Sequence, residues 1–323
     1  MSPSSTHSRR KRTRGLLAAG AIAAATVLLA ACGEGSPSDG AAAPGEEPQP
    51  ALHSHIHGLG IDPEDGRLYV ATHEGIYIAD DKGSPQLVGD SRDDFMGFTV
   101  TGAKTFLASG HPAPGSDQPD NHGLAFLASG HPAPGSDQPD NHGLIKSTDA
   151  GKSWKTASLK GEADFHSLEH AKGITYGYDS TGGLLRVSKD GTTWQDRARL
   201  QALDFAVNPA DPNQLVATTA EGVARSTDGG ATFAPGQGPG MEFLSWASPE
   251  SLFGVDFTGA LSISSDGGST WKKTATVPGG QPQALTAVDE QHILAATQDG
   301  IYESRDAGET LTKRLSVASG DHH

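Results

Sequence analysis

The chain has 323 residues, with one cysteine, 42 glycines, and 39 acidic against 24 basic side chains, giving a net charge of −15 with histidine neutral. An acidic balance of this size repels polyanions and concentrates cations, so nucleic-acid binding is excluded as a function class. The lone cysteine excludes an intramolecular disulfide.

The first segment reads as a processing signal. Arg9, Arg10, Lys11, Arg12 and Arg14 form a basic region, Gly15 to Leu28 an apolar one, and Leu29-Ala30-Ala31-Cys32 a lipobox. The apolar run is too short to span a bilayer and is followed by small residues, as in a cleavable leader. Residues 1–32 are therefore read as a lipoprotein signal peptide and Cys32 as the lipidation site, which makes the membrane a partner through the anchor. Several acyl chains hold a protein firmly where one holds it marginally. The expected location is extracytoplasmic, on the outer face of the cell membrane. Removing the leader takes five of the 24 basic residues and none of the 39 acidic ones, leaving 19 minus 39, or −20. Residues 33–50, rich in Gly, Ser, Pro, Ala and Glu, read as a flexible linker. A folded domain is expected over 51–315 and a tail over 316–323, ending in His322 and His323.

Within the domain an eight-residue pattern, Ser-x-Asp-x-Gly-x-Thr-Trp, recurs. It stands at Ser147 to Trp154, one residue shorter at Ser188 to Trp194, then at Ser226 to Phe233, Ser264 to Trp271 and Ser304 to Leu311. The aspartates Asp149, Asp190, Asp228, Asp266 and Asp306 step by 41, 38, 38 and 40 residues. A period near forty built from short alternating segments and Gly-rich turns predicts one four-stranded antiparallel sheet per repeat, arranged radially. The strand openings at His55, Asp94, Asp164, Ala202, Glu242 and Gln283 give six blades, all-β, with seven as the alternative because residues 51–56 could supply a closing strand. In the second blade, Phe106 to Leu124 is repeated without change at Phe126 to Leu144. Either copy could supply the second strand; the other lengthens a loop at small entropic cost.

The repeated pattern resembles the Asp-box, or BNR repeat, of sialidase-like and sortilin-like propellers. The resemblance implies that the Asp caps the turn between the third and fourth strands while the aromatic packs between blades. That fits the chemistry of Asp, Gly and Trp in such a turn. It fixes architecture and leaves activity open.

Function has to be sought where the first strands begin, at one mouth of the central channel. Aligning the blades puts His57, Met96, His166, Leu203, Glu242 and Gln283 on one ring, and His55, Asp94, Asp164, Gln201, Gly240 and Gln281 on the next. The loops between second and third strands add His73 and His111, or its duplicate His131, with His122 and His142 further out. Imidazole with thioether suits copper, and imidazole with carboxylate also suits zinc. The i, i+2 spacing of His53, His55 and His57 places them on one side of a strand. The expected ligands of a copper or zinc ion are His55, His57 and His166, with His73, His111, Met96 and Glu242 behind them.

A sialidase would carry a substrate-clamping set of three arginines, as the resemblance implies, and no arginine falls on either ring. Another glycoside hydrolase using Asp94, Asp164 and Glu242 stays open as an alternative. So does a docking face for a protein or glycan partner. The reading carried forward is a monomeric, non-catalytic binding module with a histidine-rich metal site.

Overall fold

A computed structural model of the chain describes residues 51–80, 83–113 and 141–318. The leader, Cys32, the linker, His122, His131, and His322 and His323 lie outside the described residues. Strands over the described residues form six antiparallel sheets of four, which makes the protein a six-bladed β-propeller. The blades are lettered A to D from their first strand, which lines the central channel. Blade 1 runs Ile56–Ile61, Leu68–Thr72, Gly75–Ala79 and Pro85–Leu87. Blade 2 runs Asp94–Gly102, Thr105–His111, Leu144–Ser147 and Lys155–Ser158. Blades 3 to 6 begin with Phe165–Ala171, Phe205–Val207, Phe243–Ser248 and Pro282–Ala287.

The short strand Ala51–Leu52 closes the ring. It pairs in parallel with Ser316 and Val317 of the last strand, Thr312–Val317. It adds a fifth strand to blade 6 and does not found a seventh blade. Strand B of blade 2 is supplied by the first copy of the duplicated sequence, with Phe106 buried, and strand C resumes at Leu144.

The core is divided among the blade interfaces. One apolar cluster joins Leu59 and Leu68 of blade 1 to Ala284 and Leu294 of blade 6, and another joins Tyr69 and Ile76 to Phe98 and Phe106 of blade 2. Four more join the remaining neighbours. Each sheet therefore buries both faces against its neighbours, which is why its inner strands read as nearly continuous apolar runs.

The repeated pattern forms the turns between strands C and D. In blade 5, Ser264 Oγ donates to Asp266 Oδ1 at 2.8 Å and accepts from Gly268 N at 2.8 Å, while Asp266 accepts from Thr270 N and Thr270 Oγ at 2.8 and 2.7 Å. The pattern recurs around Asp149, Asp228 and Asp306. Gly268 takes φ +83°, the left-handed region open to glycine. The aromatic partner works across blades as the resemblance implied: Trp194 Nε1 donates to Ser158 Oγ of the preceding blade at 2.8 Å. Antiparallel strand order sets these turns at the end of the ring opposite the B–C turns. The B–C turns and the starts of the A strands share the other end.

Candidate metal site at the channel mouth

The mouth is shaped by one backbone irregularity used several times. In blades 1, 2 and 3 the ladder between strands A and B slips by one residue, between Ile56 and Gly58, Phe95 and Gly97, and Phe165 and Ser167. The residues left out of register are His57, Met96 and His166. A β-bulge leaves its extra residue unpaired and re-aims the side chain, so these three turn toward the channel mouth. Blade 6 has the same slip at Gln283, whose Oε1 accepts from Ile56 N at 3.1 Å across the closing interface.

The mouth opens into a cavity of about 830 Å3 walled in part by His55, His57, His73, Met96, His166 and Glu242. Below it the channel proper encloses about 510 Å3 and shares His57 and His166 with the mouth.

Three imidazoles meet in this cavity. His55, His57 and His73 each offer a ring nitrogen, and the three nitrogens lie within 4.8 Å of one another. Ring centroids are 4.7 Å apart for His55 and His57, and 4.3 Å for His57 and His73. His57 Nε2 approaches His73 Nε2 to 3.2 Å. His73 is held from its far side, because Asp94 Oδ1 accepts from Nδ1 at 2.9 Å. Fixing the proton on Nδ1 leaves the Nε2 lone pair directed at the cluster, the relation seen when a carboxylate orients a metal-bound imidazole. Desolvation, then the neighbouring His73, lowers the pKa of His55 to about 4. The same causes, with His55 added, hold His57 well below the ordinary imidazole range. Both rings are neutral at physiological pH and keep their lone pairs.

A second group stands beside the first. His111, at the end of strand B of blade 2, brings Nε2 to 3.3 Å from Asp164 Oδ2. His166 brings its Nε2 to 3.0 Å from the same oxygen. The Asp164 side chain is only 1 % exposed. Burial works against its charge, but the hydrogen bonds from His111 and His166 prevail and hold its pKa far below the usual carboxylate range. The bond to Asp164 raises the pKa of His111. The approach of strand B depends on Gly110, where a Cβ would fall 1.8 Å from the carbonyl oxygen of Asp94.

The seven residues expected as ligands therefore divide. His55, His57 and His73 converge; His166 stands outside that trio and shares Asp164 with His111. Glu242 walls the same cavity, but its Oε1 accepts from Gln281 Nε2 at 2.9 Å, and burial raises its pKa. Met96 is buried in the cavity wall. His53 lines the cavity outside the trio, so two of the three alternating histidines join His73 in place of each other. His142 sits closer in than the sequence suggested: its Nε2 lies 3.2 Å from Asp93 Oδ2, and its backbone N donates to Gly110 O at 2.9 Å. Asp93 Oδ1 also accepts from Ala113 N at 2.9 Å, so one carboxylate pins the chain on both sides of residues 114–140. Asp94 and Asp164 were legible as ring positions; their task as imidazole partners was not.

No family model matches the chain, and no curated protein matches it. Solved β-propellers do. The structure of a nidogen/laminin complex is 12% identical with a TM-score of 0.55, over 78% of this chain and 92% of that one. YCF48 bound to D1 peptide is 16% identical with a TM-score of 0.53, over 80% and 95%. The GH74 enzyme of Niastella koreensis is 14% identical with a TM-score of 0.51, over 81% of this chain; the chain spans 38% of that enzyme's length. At these identities the likeness shows the fold, which hydrolases and binding proteins share.

Proposed function

We propose that this propeller is a non-catalytic binding module, lipid-anchored through Cys32 on the outer face of the cell membrane, whose mouth holds a copper or zinc ion on His55, His57 and His73. The observation that carries the reading is the convergence of three neutral imidazoles, two from the opening of strand A and one from the B–C turn, with Asp94 fixing the third. A metal–nitrogen bond of about 2.0–2.1 Å in tetrahedral geometry sets nitrogens about 3.3 Å apart. His57 Nε2 and His73 Nε2 stand 3.2 Å apart. Met96 in the wall supplies a thioether beside the imidazoles, the combination that favours copper. Two of the carboxylates a hydrolase would use, Asp94 and Asp164, are committed to histidines, which favours binding over hydrolysis.

The test is titration of the metal-stripped full chain with Cu2+ and Zn2+ by calorimetry, alongside a His55→Ala/His73→Ala variant. The wild type takes up one of the two ions tightly, and the variant loses that uptake with an unchanged thermal midpoint. Absence of binding to either ion sinks the reading. Turnover of a glycoside panel, lost on Glu242→Gln, would replace it with hydrolysis.

A further inference from the structure

We infer that the mouth has a second cation seat, formed by His111, Asp164 and His166, so that the module holds two first-row divalent ions side by side. The inference adds to the histidine-trio reading, but its ligands are a separate set.

Three chain segments deliver these groups. His111 ends strand B of blade 2, Asp164 precedes strand A of blade 3, and His166 occupies that strand's bulge. Two imidazoles from different blades aim the same ring nitrogen, Nε2, at one carboxylate oxygen, at 3.3 and 3.0 Å. Those separations are the edges of a coordination polyhedron with metal–ligand bonds of about 2.0–2.2 Å. A carboxylate buried to the extent of Asp164 needs compensating positive charge, and a divalent ion between the three atoms supplies it with the rings neutral. The imidazoles remain partly open, with side-chain exposures of 25 % for His111 and 17 % for His166. An ion held here would keep positions facing the cavity.

The donor sets differ in chemistry. Three nitrogens at the first seat favour copper or zinc. Two nitrogens and one oxygen are a harder set, suited to zinc and to divalent iron, cobalt or manganese. Both seats open on one mouth, since His57 of the first and His166 of the second line the same cavity. The ligand class is thus a pair of divalent cations, with the second seat the less selective for soft metals.

The experiment counts ions. Full-length protein carrying His322→Ala and His323→Ala, to remove the terminal histidines, is stripped of metal and titrated with Zn2+ by calorimetry; Co2+ loading is followed by its visible absorption. Two equivalents are expected. Asp164→Asn, and separately His111→Ala, should bind one equivalent, while His55→Ala/His73→Ala should keep the other one and retain the Co2+ spectrum of the nitrogen–oxygen set. One equivalent in the parent protein, abolished by His55→Ala/His73→Ala and untouched by both Asp164→Asn and His111→Ala, overturns the second seat and leaves the first standing. No uptake at all overturns both. Circular dichroism melts of each variant identify any that fails to fold, in which case His166→Ala takes its place.

Discussion

The C–D turns and the starts of the A strands occupy matching positions in successive blades, at opposite ends of the ring, and they have diverged in opposite ways. Four of the turns reproduce one hydrogen-bond pattern of Ser, Asp, Gly and Ser or Thr. The strand starts share a bulge in blades 1, 2, 3 and 6 but carry His57, Met96, His166 and Gln283 on it. A backbone device repeated with one set of side chains builds the scaffold. The same kind of device repeated with different side chains makes a site. Repetition with chemical identity marks architecture in this chain, and repetition of geometry without it marks the place where function sits.

The contrast can be pressed hardest inside the channel. Glu169, one turn of strand below His166 along the A strand of blade 3, has its pKa raised to about 8 by desolvation and by Asp204, from an ordinary 4.5. The folded state therefore holds a proton that the unfolded chain releases between about pH 4.5 and 8. Stability from this group falls as pH rises through that window. Glu169→Gln should melt higher than wild type, by a margin that grows from pH 5 to 8 and then levels off at on the order of 3 kcal/mol. A margin independent of pH would show that the channel end is as indifferent to side-chain chemistry as the turns.

Next in size is the carboxylate behind His73. Asp94→Asn keeps shape and removes the charge that fixes the ring, so affinity for the first ion should fall by about 10–100-fold with little change in melting temperature. Equal affinity in the two proteins, measured by competition with a chromogenic chelator, would deny Asp94 its positioning task.

Smallest is a turn substitution. Ser264 is 1% exposed and its hydroxyl serves both Asp266 and Gly268. Ser264→Ala should cost about 1–2 kcal/mol in urea unfolding, with metal stoichiometry unchanged. A variant that lost metal as well as stability would join the two ends that the comparison separates.

The blades were legible because the period, the turn residues and the alternation agree with one another, and none of them needs a distant contact to be read. Closure was legible only as a choice, since Ala51 and Leu52 carry no mark that says which sheet they will join. The duplicated Phe106 and Phe126 segments are identical, so composition could not say which would enter strand B. At the mouth, position on the A strand was enough to find His55, His57, His166, Asp94 and Asp164. It was not enough to group them. Whether His166 turns toward His57 or toward Asp164 depends on a one-residue slip in the ladder, and a slip of that kind follows from packing between blades: Gly97, just past one bulge, has the carbonyl oxygen of Phe165 2.3 Å from where its Cβ would be.

Because Ala51–Leu52 binds the final strand, the earliest and latest parts of the domain to leave the ribosome depend on each other. Until residue 318 has emerged, blade 1 lacks its neighbour, and Val317 and Ala318 are missing from the wall around the histidines. The mouth is thus the last pocket to be finished, and a nascent or C-terminally clipped chain offers three imidazoles on an open horseshoe in place of an enclosed cup.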